Sequence, residues 1–288
     1  MTNAKKLESI VTRKRGTAAF FDRVAGQYDR SGPRFFSYFG KRMVDLADLP
    51  KNAQVLDLAS GRGAVLFPAA AAVGPLGHVT GVDLSEQMVM ELTQEIQRLE
   101  LPNITVHQMD VEDLQFSDAS FDFVLCGFGL FFFPQLERAL AEIRRVLRPN
   151  GRIAVSLWDR SMDLQWEWFY RVVQAHLPVD PTAKPVPRRP SSGELDTQSG
   201  LELALGAAGF RAIQVSLDSH DFVYTQDNDW WDALWTHWTR MALERIEQTN
   251  GSEGLAHFKQ DIFEHLQAMR KPDGIHQIFP ALIALAEK

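Results

Sequence analysis

A single cysteine, Cys126, stands in a chain of 288 residues. Alone it closes no intramolecular disulfide and builds no thiolate zinc cluster, which fits a reducing compartment and makes the cytoplasm the expected location. No apolar stretch approaches the roughly 20 residues that span a bilayer, and no segment combines a basic flank, an apolar run and a small-residue cleavage site. The longest apolar runs, around Phe128 to Pro134 and Pro280 to Ala286, read as buried core. Positive charge is also scarce: 30 Lys and Arg against 37 Asp and Glu leave a formal net charge of −7. Binding to a phosphate backbone needs clustered cations that displace counterions, so nucleic acid is not an expected partner. Lys5, Lys6, Arg13, Lys14 and Arg15 form a local exception and read as a solvated N-terminal arm. The histidines show no pair at metal-ligand spacing beside a carboxylate cluster, so no metal is expected, and His107, His176, His220 and His237 read as packing or surface residues.

Hydrophobic residues make up 45% of the chain, enough for one α/β core with material left for a cap. Short β-type runs alternate with helical-period segments, the order of a parallel sheet. Strands are expected at Gln54 to Leu58, His78 to Asp83, Ile104 to Met109, Phe121 to Gly127 and Arg152 to Trp158. Ser85 is placed to cap the helix whose apolar positions are Val89, Leu92, Ile96 and Leu99. After Trp158 come an aromatic-rich helix to about Leu177, a proline-rich loop or lid hinge from Pro178 to Pro190, and a helix from Thr197 to Ala208. A half-exposed strand follows at Ile213, Val215 and Leu217. Two amphipathic helices then precede a final strand, Ile275 to Ala286, in which Pro280 implies a bulge or an edge. The tryptophan stripe on the first of these helices, Trp231, Trp235 and Trp238, serves either the core or an oligomer contact, or else a substrate wall.

The densest chemistry lies in Val-Leu-Asp-Leu-Ala-Ser-Gly-Arg-Gly, Val55 to Gly63, an apolar strand that runs into a two-glycine loop and then a helix. Such a loop lets backbone approach a ligand closely, and the helix beyond presents free N–H groups. About 20 residues on, Asp83 ends the second strand, where a carboxylate accepts hydrogen bonds from ribose hydroxyls. A dinucleotide loop would need a third glycine where this chain has Leu66, so pyrophosphate binding is poorly matched.

With these elements the sequence resembles the class I S-adenosylmethionine-dependent methyltransferases, in four motifs in the family's order. The family's Asp-x-Gly-x-Gly-x-Gly reads here as Asp57, Ala59, Gly61 and Gly63; the alanine is a mild departure if its φ is negative. The resemblance implies S-adenosyl-L-methionine as cofactor, with Ala59, Ser60, Gly61 and Gly63 around its methionine part. It implies Asp83 on the ribose and Leu84 and Met88 beside the adenine. Asp110 would accept from the adenine amino group, with Glu112 and Asp113 as near alternatives, and Val111 would donate its N–H. Cys126 and Gly127 end the strand beside the reacting sulfonium, and Leu147 to Arg152 resembles the family's turn before strand five. The run Phe20 to Asp29 further resembles the ubiquinone and menaquinone C-methyltransferase branch, in which Tyr28 would approach the cofactor; simple packing is its other reading.

The fold implied is a Rossmann-like α/β sheet of seven strands, mostly parallel with the last antiparallel, with helices on both faces and a helical cap insertion. Its expected parts are an N-terminal helical arm or cap (1–45), the cofactor-binding core (46–160), a substrate-side helix with lid loop and strand six (161–227), a helical insertion (228–272) and the closing strand (273–288). An acceptor would sit at the ends of strands four and five, against Phe128, Phe132 and Trp158 and near Phe131 and Trp166. Those walls imply a small lipophilic acceptor such as a quinone, aromatic polyketide, indole or isoprenoid. Cys126-Gly127-Phe128-Gly129 lacks the Asn/Asp-Pro-Pro-aromatic signature of nucleic-acid amino-methylating relatives. Asp159 is the one candidate general base, for an acceptor that must lose a proton. A homo-oligomer is compatible with the sequence. The alternatives are a non-methylating reaction on the same fold, or a module that binds the cofactor without catalysis.

Overall fold

The computed structural model describes residues 3–30, 32–178 and 194–288. The proposed lid hinge at 178–190 therefore lies, from 179 onward, outside the described residues.

Alternation along the strands sorts their side chains onto two faces, and here both faces are apolar. Val55, Phe123, Leu125 and Ala154 meet one helical layer, while Leu56, Val124, Cys126 and Val155 meet the other. A sheet covered on both faces is the environment that such continuous apolar runs require. Seven strands form it in the order β3-β2-β1-β4-β5-β7-β6. They are β1 (Gln54–Leu58), β2 (His78–Asp83), β3 (Ile104–Gln108), β4 (Phe121–Gly127), β5 (Leu147–Trp158), β6 (Arg211–Tyr224) and β7 (Ile275–Glu287). The first five run parallel, and β7 is antiparallel to both β5 and β6. The order reverses between β1 and β4, so the crevice of an open α/β sheet opens at their carboxyl ends.

On the first face α2 (Phe35–Ala47), α3 (Leu66–Val73) and α4 (Glu86–Arg98) supply Met43, Leu66 and Leu92. Ser85 caps α4 as expected, accepting from the Met88 N–H. α5 (Leu136–Val146) and α6 (Met162–Ala175) cover the other face, and α7 (Gln198–Ala207) packs on β6. Gly40 lets α2 press onto the loop after β1: a Cβ there would lie 2.2 Å from the Ala64 carbonyl oxygen.

Three sequence expectations change. The N-terminal arm is helical as expected, α1 (Asn3–Val24), but it packs on α4 and its Arg13 and Lys14 are docked where a solvated basic stretch was expected. β7 is an interior strand, with no register shift at Pro280. Pro280 is tolerated because β5 pairs only as far as Trp158 opposite Ala281, and Asp159 then donates to the Pro280 carbonyl. The missing N–H falls where the neighbouring strand has ended. Lastly, the first helix of the insertion breaks. α8 (Asp227–Leu234) stops, and α9 (Arg240–Met269), itself kinked at Gly251, starts after a turn at 235–239. Thr236 and Thr239 donate their hydroxyls to the Ala233 and Leu234 carbonyls, local bonds that compete with helix continuation.

Candidate active site

The loop after β1 turns through two left-handed residues, Ala59 at φ 52° and Gly61 at φ 49°. The expectation of a negative φ at Ala59 is thus corrected, and the alanine carries strain that a glycine would not. Gly63, at φ 83°, is needed for another reason, since a Cβ there would lie 2.5 Å from the Phe67 ring. Asp83 is held by two backbone donors, Gly61 N–H at 2.8 Å and Ser85 N–H at 2.9 Å. Each of its oxygens retains a lone pair for a further donor.

Twelve of the residues singled out from the sequence come together on one cavity: Tyr28, Ala59, Ser60, Gly61, Asp83, Leu84, Met88, Asp110, Val111, Gly127, Phe128 and Phe132. Gly63 lies outside it, along a neighbouring cleft, because its place is at the turn into α3. Cys126 does not reach the wall either. Its side chain points into the core, its Sγ 2.7 Å from where a Cβ on Gly129 would stand, and burial pushes its thiol far above the ordinary range.

Asp57 also lines this cavity, and neither of its carboxylate oxygens has a hydrogen-bond partner; the Ser60 hydroxyl is likewise unpartnered. The backbone N–H of Leu66 lies near Asp57 and only partly offsets the cost of its charge. Burial, and then the charge of Asp83, holds the Asp57 carboxyl well above the usual carboxylate range; burial also raises Asp83, against the pull of its backbone donors. Buried carboxylates without counter-charges call for a cationic, hydrogen-bond-donating ligand. A sulfonium with an amino group and a ribose diol meets that description, so these residues fit the cofactor that the motifs imply.

At the far end, Asp110 accepts from the Glu112 N–H with one oxygen and from Lys14 Nζ, at 2.6 Å, with the other. Glu112 is fully buried, accepts both from Gln135 N–H and from its side-chain amide, and also pairs with Lys14. Partial burial pulls the Lys14 ammonium down, but its bonds to Asp110 and Glu112 more than offset this and raise it. Arg13, one residue earlier, donates to the Phe131 carbonyl at 3.3 Å. The sequence reading missed Lys14 and Arg13 because basic residues near a terminus look the same whether solvated or docked.

A second, mostly apolar cavity of about 360 Å³ adjoins the first, and the two share Thr17, Phe21, Tyr28, Phe36, Phe128 and Phe132. Trp158 lines this second chamber, with Phe128 lying 4.1 Å from it between ring centroids. Tyr28 stacks on Phe36 at 5.2 Å. Trp166 does not line the chamber; it lines a small cavity behind it, and of the tryptophan stripe only Trp238 reaches the chamber wall. Trp231 packs against Phe258 and Phe263 instead. Asp159 lines neither of the two adjoining cavities. Its Oδ1 accepts from the Ser161 N–H and hydroxyl, which commits it to the turn that starts α6. His237 does line the chamber. Among the described residues no group of three or more side chains is arranged to hold a metal ion, and no helix is long and apolar enough to cross a membrane.

Comparison with known proteins agrees with this geometry. Residues 55–151 match the methyltransferase domain family. The chain is 42% identical over 136 residues to nocamycin O-methyltransferase of Saccharothrix syringae, covering 47% of this chain and 49% of that protein. It is 39% identical over 141 residues to aklanonic acid methyltransferase DauC of Streptomyces sp. strain C5, covering 49% of this chain and 64% of that one. The chain thus spans about half to two thirds of the length of these relatives. In fold it is similar to the crystal structure of YcgJ from Bacillus subtilis, with a TM-score of 0.55 at 19% identity over 87% of this chain and 98% of that one. The motif-level resemblance to S-adenosylmethionine-dependent methyltransferases accordingly extends to a methyltransferase domain match and a Rossmann-like sheet.

Proposed function

We propose that this protein is an S-adenosylmethionine-dependent methyltransferase that acts on a small, lipophilic, aromatic or similarly flat acceptor. The observation that carries the reading is the pair of joined cavities: an acidic slot with the partnerless Asp57, opening between Tyr28, Phe36 and Phe128 into an apolar chamber. S-adenosylmethionine, when bound, supplies a methyl group on an electrophilic sulfonium.

The chain's own residues then have separable tasks. Asp83 holds the ribose hydroxyls with the lone pairs left by Gly61 and Ser85. Leu84 and Met88 provide apolar contact for the adenine, and Asp110 accepts from its amino group. Asp57 and Ser60 supply charge and hydrogen bonding at the cationic end. The aromatic walls exclude water and hold the acceptor at the mouth of the slot. Positioning of this kind supplies on the order of 7 to 11 kcal/mol of barrier lowering in favourable cases. The names of the two relatives, for nocamycin and for aklanonic acid, support an acceptor of low molecular weight.

Calorimetric titration with S-adenosylhomocysteine tests the cofactor assignment without knowledge of the acceptor. The wild type is expected to bind, and Asp83→Ala to weaken binding by about 1.5 to 3 kcal/mol, the range for a hydrogen bond to a charged group. Absence of binding to the folded wild type would overturn the assignment.

A further inference from the structure

The break between α8 and α9 sets one polar ring in the aromatic wall of the chamber. His237 lies between Phe35, at 4.9 Å, and Phe36, stacked at 5.6 Å, with Tyr28 at 6.0 Å. Its Nδ1 is in hydrogen-bond contact with the Ala233 carbonyl and stands 2.9 Å from Thr236 Oγ1, whose own hydroxyl reaches the same carbonyl at 2.9 Å. A carbonyl only accepts, so the ring proton sits on Nδ1, and Nε2 is left as a bare acceptor. Nε2 is buried and has no hydrogen-bond partner, a costly state for a polar atom. Burial pushes the ring's pKa down to about 4, so it is neutral at pH 7. The titratable side chains that share a cavity wall with it are Arg13 and Tyr28 in the chamber and Tyr224 behind; none is a carboxylate that would pin a protonated ring.

We propose that His237 Nε2 is the acceptor-side base: it takes a hydrogen bond from an acidic hydroxyl, a phenol, naphthol or enol, on a flat acceptor and receives that proton as the oxygen is methylated. The proposal rests on the methyltransferase reading above and adds the atom methylated and the substrate class. The O–H electron pair stays on oxygen, and an oxygen pair forms the new carbon–oxygen bond. The pair of the broken carbon–sulfur bond stays on sulfur, and the proton passes from Nε2 to water once the product leaves. A rival occupant of the unpartnered nitrogen is a water shared with Trp166 Nε1, which also lacks a partner and lines with His237 the small cavity behind the chamber.

The probes are 2-naphthol and its methyl ether, 2-methoxynaphthalene, titrated calorimetrically into the wild type, His237→Phe and His237→Gln, with S-adenosylhomocysteine titrated into each protein in parallel. The expected result is about tenfold tighter binding of 2-naphthol than of the ether by the wild type, no preference in His237→Phe, and a preference retained in His237→Gln, whose amide oxygen still accepts. With ¹⁵N-labelled histidine, the Nε2 resonance of the wild type should move towards its protonated position with 2-naphthol and stay in place with the ether, a readout independent of how either variant folds. Equal affinity of the wild type for the two probes, or an undiminished preference in a His237→Phe protein that still binds S-adenosylhomocysteine, would overturn the proposal; the second is what the bridging water requires. Failure of the wild type to bind S-adenosylhomocysteine would sink the methyltransferase reading and the methylation step with it, whereas the naphthol comparison, which needs no cofactor, decides separately whether Nε2 takes the hydrogen bond.

Discussion

At the residue scale, the loop after β1 carries a conflict between local conformation and side chain. Ala59 at φ 52° sits in a region that costs an L-residue about 1 to 2 kcal/mol, and Phe128, at φ 55° and lining the same slot, does the same. Ala59→Gly removes the strain and returns part of the gain as unfolded-chain entropy. We expect a net stabilisation of about 0.5 to 1 kcal/mol, read as a higher denaturation midpoint. Phe128 has no such exchange open to it, because its ring closes against Trp158 and Phe36. An unchanged midpoint in Ala59→Gly would mean that the loop relaxes to remove the strain.

At the element scale, α1 is joined to the site by packing, by Arg13 and Asp22, and at the far end of the slot by Lys14. Lys14 is the cation for Glu112, which is fully buried, and it bonds Asp110 at the far end of the slot. Lys14→Met keeps most of the apolar stem and leaves Glu112 with only its bonds from Gln135. The pair is partly open to water, so the full penalty of a broken buried ion pair does not apply. We expect a loss of about 1 to 2 kcal/mol, concentrated in α1, with faster hydrogen exchange over that helix than over α4 beneath it. Exchange that quickens evenly along the chain would place the effect in global stability and not in the docking of the helix.

At the scale of the whole molecule, buried groups of opposite type give stability two opposing pH arms. His237 has its folded pKa pushed down to about 4 from an ordinary value near 6.5. The unfolded chain therefore binds the extra proton first, and stability present above pH 6.5 is lost as pH falls towards 4, on the order of 3 kcal/mol in total. Asp57 and Asp83 are raised by burial, so the folded state holds their protons more tightly and gains stability as pH falls. Subtracting the stability profile of His237→Gln from that of the wild type isolates the histidine arm: the difference should fall by about 3 kcal/mol as pH drops from 6.5 to 4. A flat difference over that range would show that the ring titrates normally in the folded protein.

Much of the core was legible in the sequence because it depends on neighbours in the chain. The strand, glycine loop, helix and Asp83 lie within 30 residues of one another, and Gly61 donates to Asp83 across only 22 positions. The end of β4 at Gly127 follows from apolar periodicity in the same way, and Asp110, two residues past β3, was picked out by the family resemblance. Asp159 drew notice by lying just past β5, yet the nearest donors, two residues away at Ser161, claim its carboxylate. The second half of β6 was hidden by Asp218, Ser219, His220 and Asp221, poor strand formers that extend only because β7 pairs with them.

By itself, then, the sequence determined the succession of strands and helices along the chain and the turn that shapes the slot, since both rest on short-range geometry and hydrophobic period, while the family resemblance pointed to Asp83 and Asp110. Only the tertiary structure decided what closes the slot and what looks into the chamber. Lys14 meets Asp110 across 96 positions, and Trp158, Phe36 and His237 meet across three separate elements. The physical reason is that a lysine or a histidine has the same local signature solvated or buried; packing against distant elements fixes its neighbours, its charge state and so its chemistry.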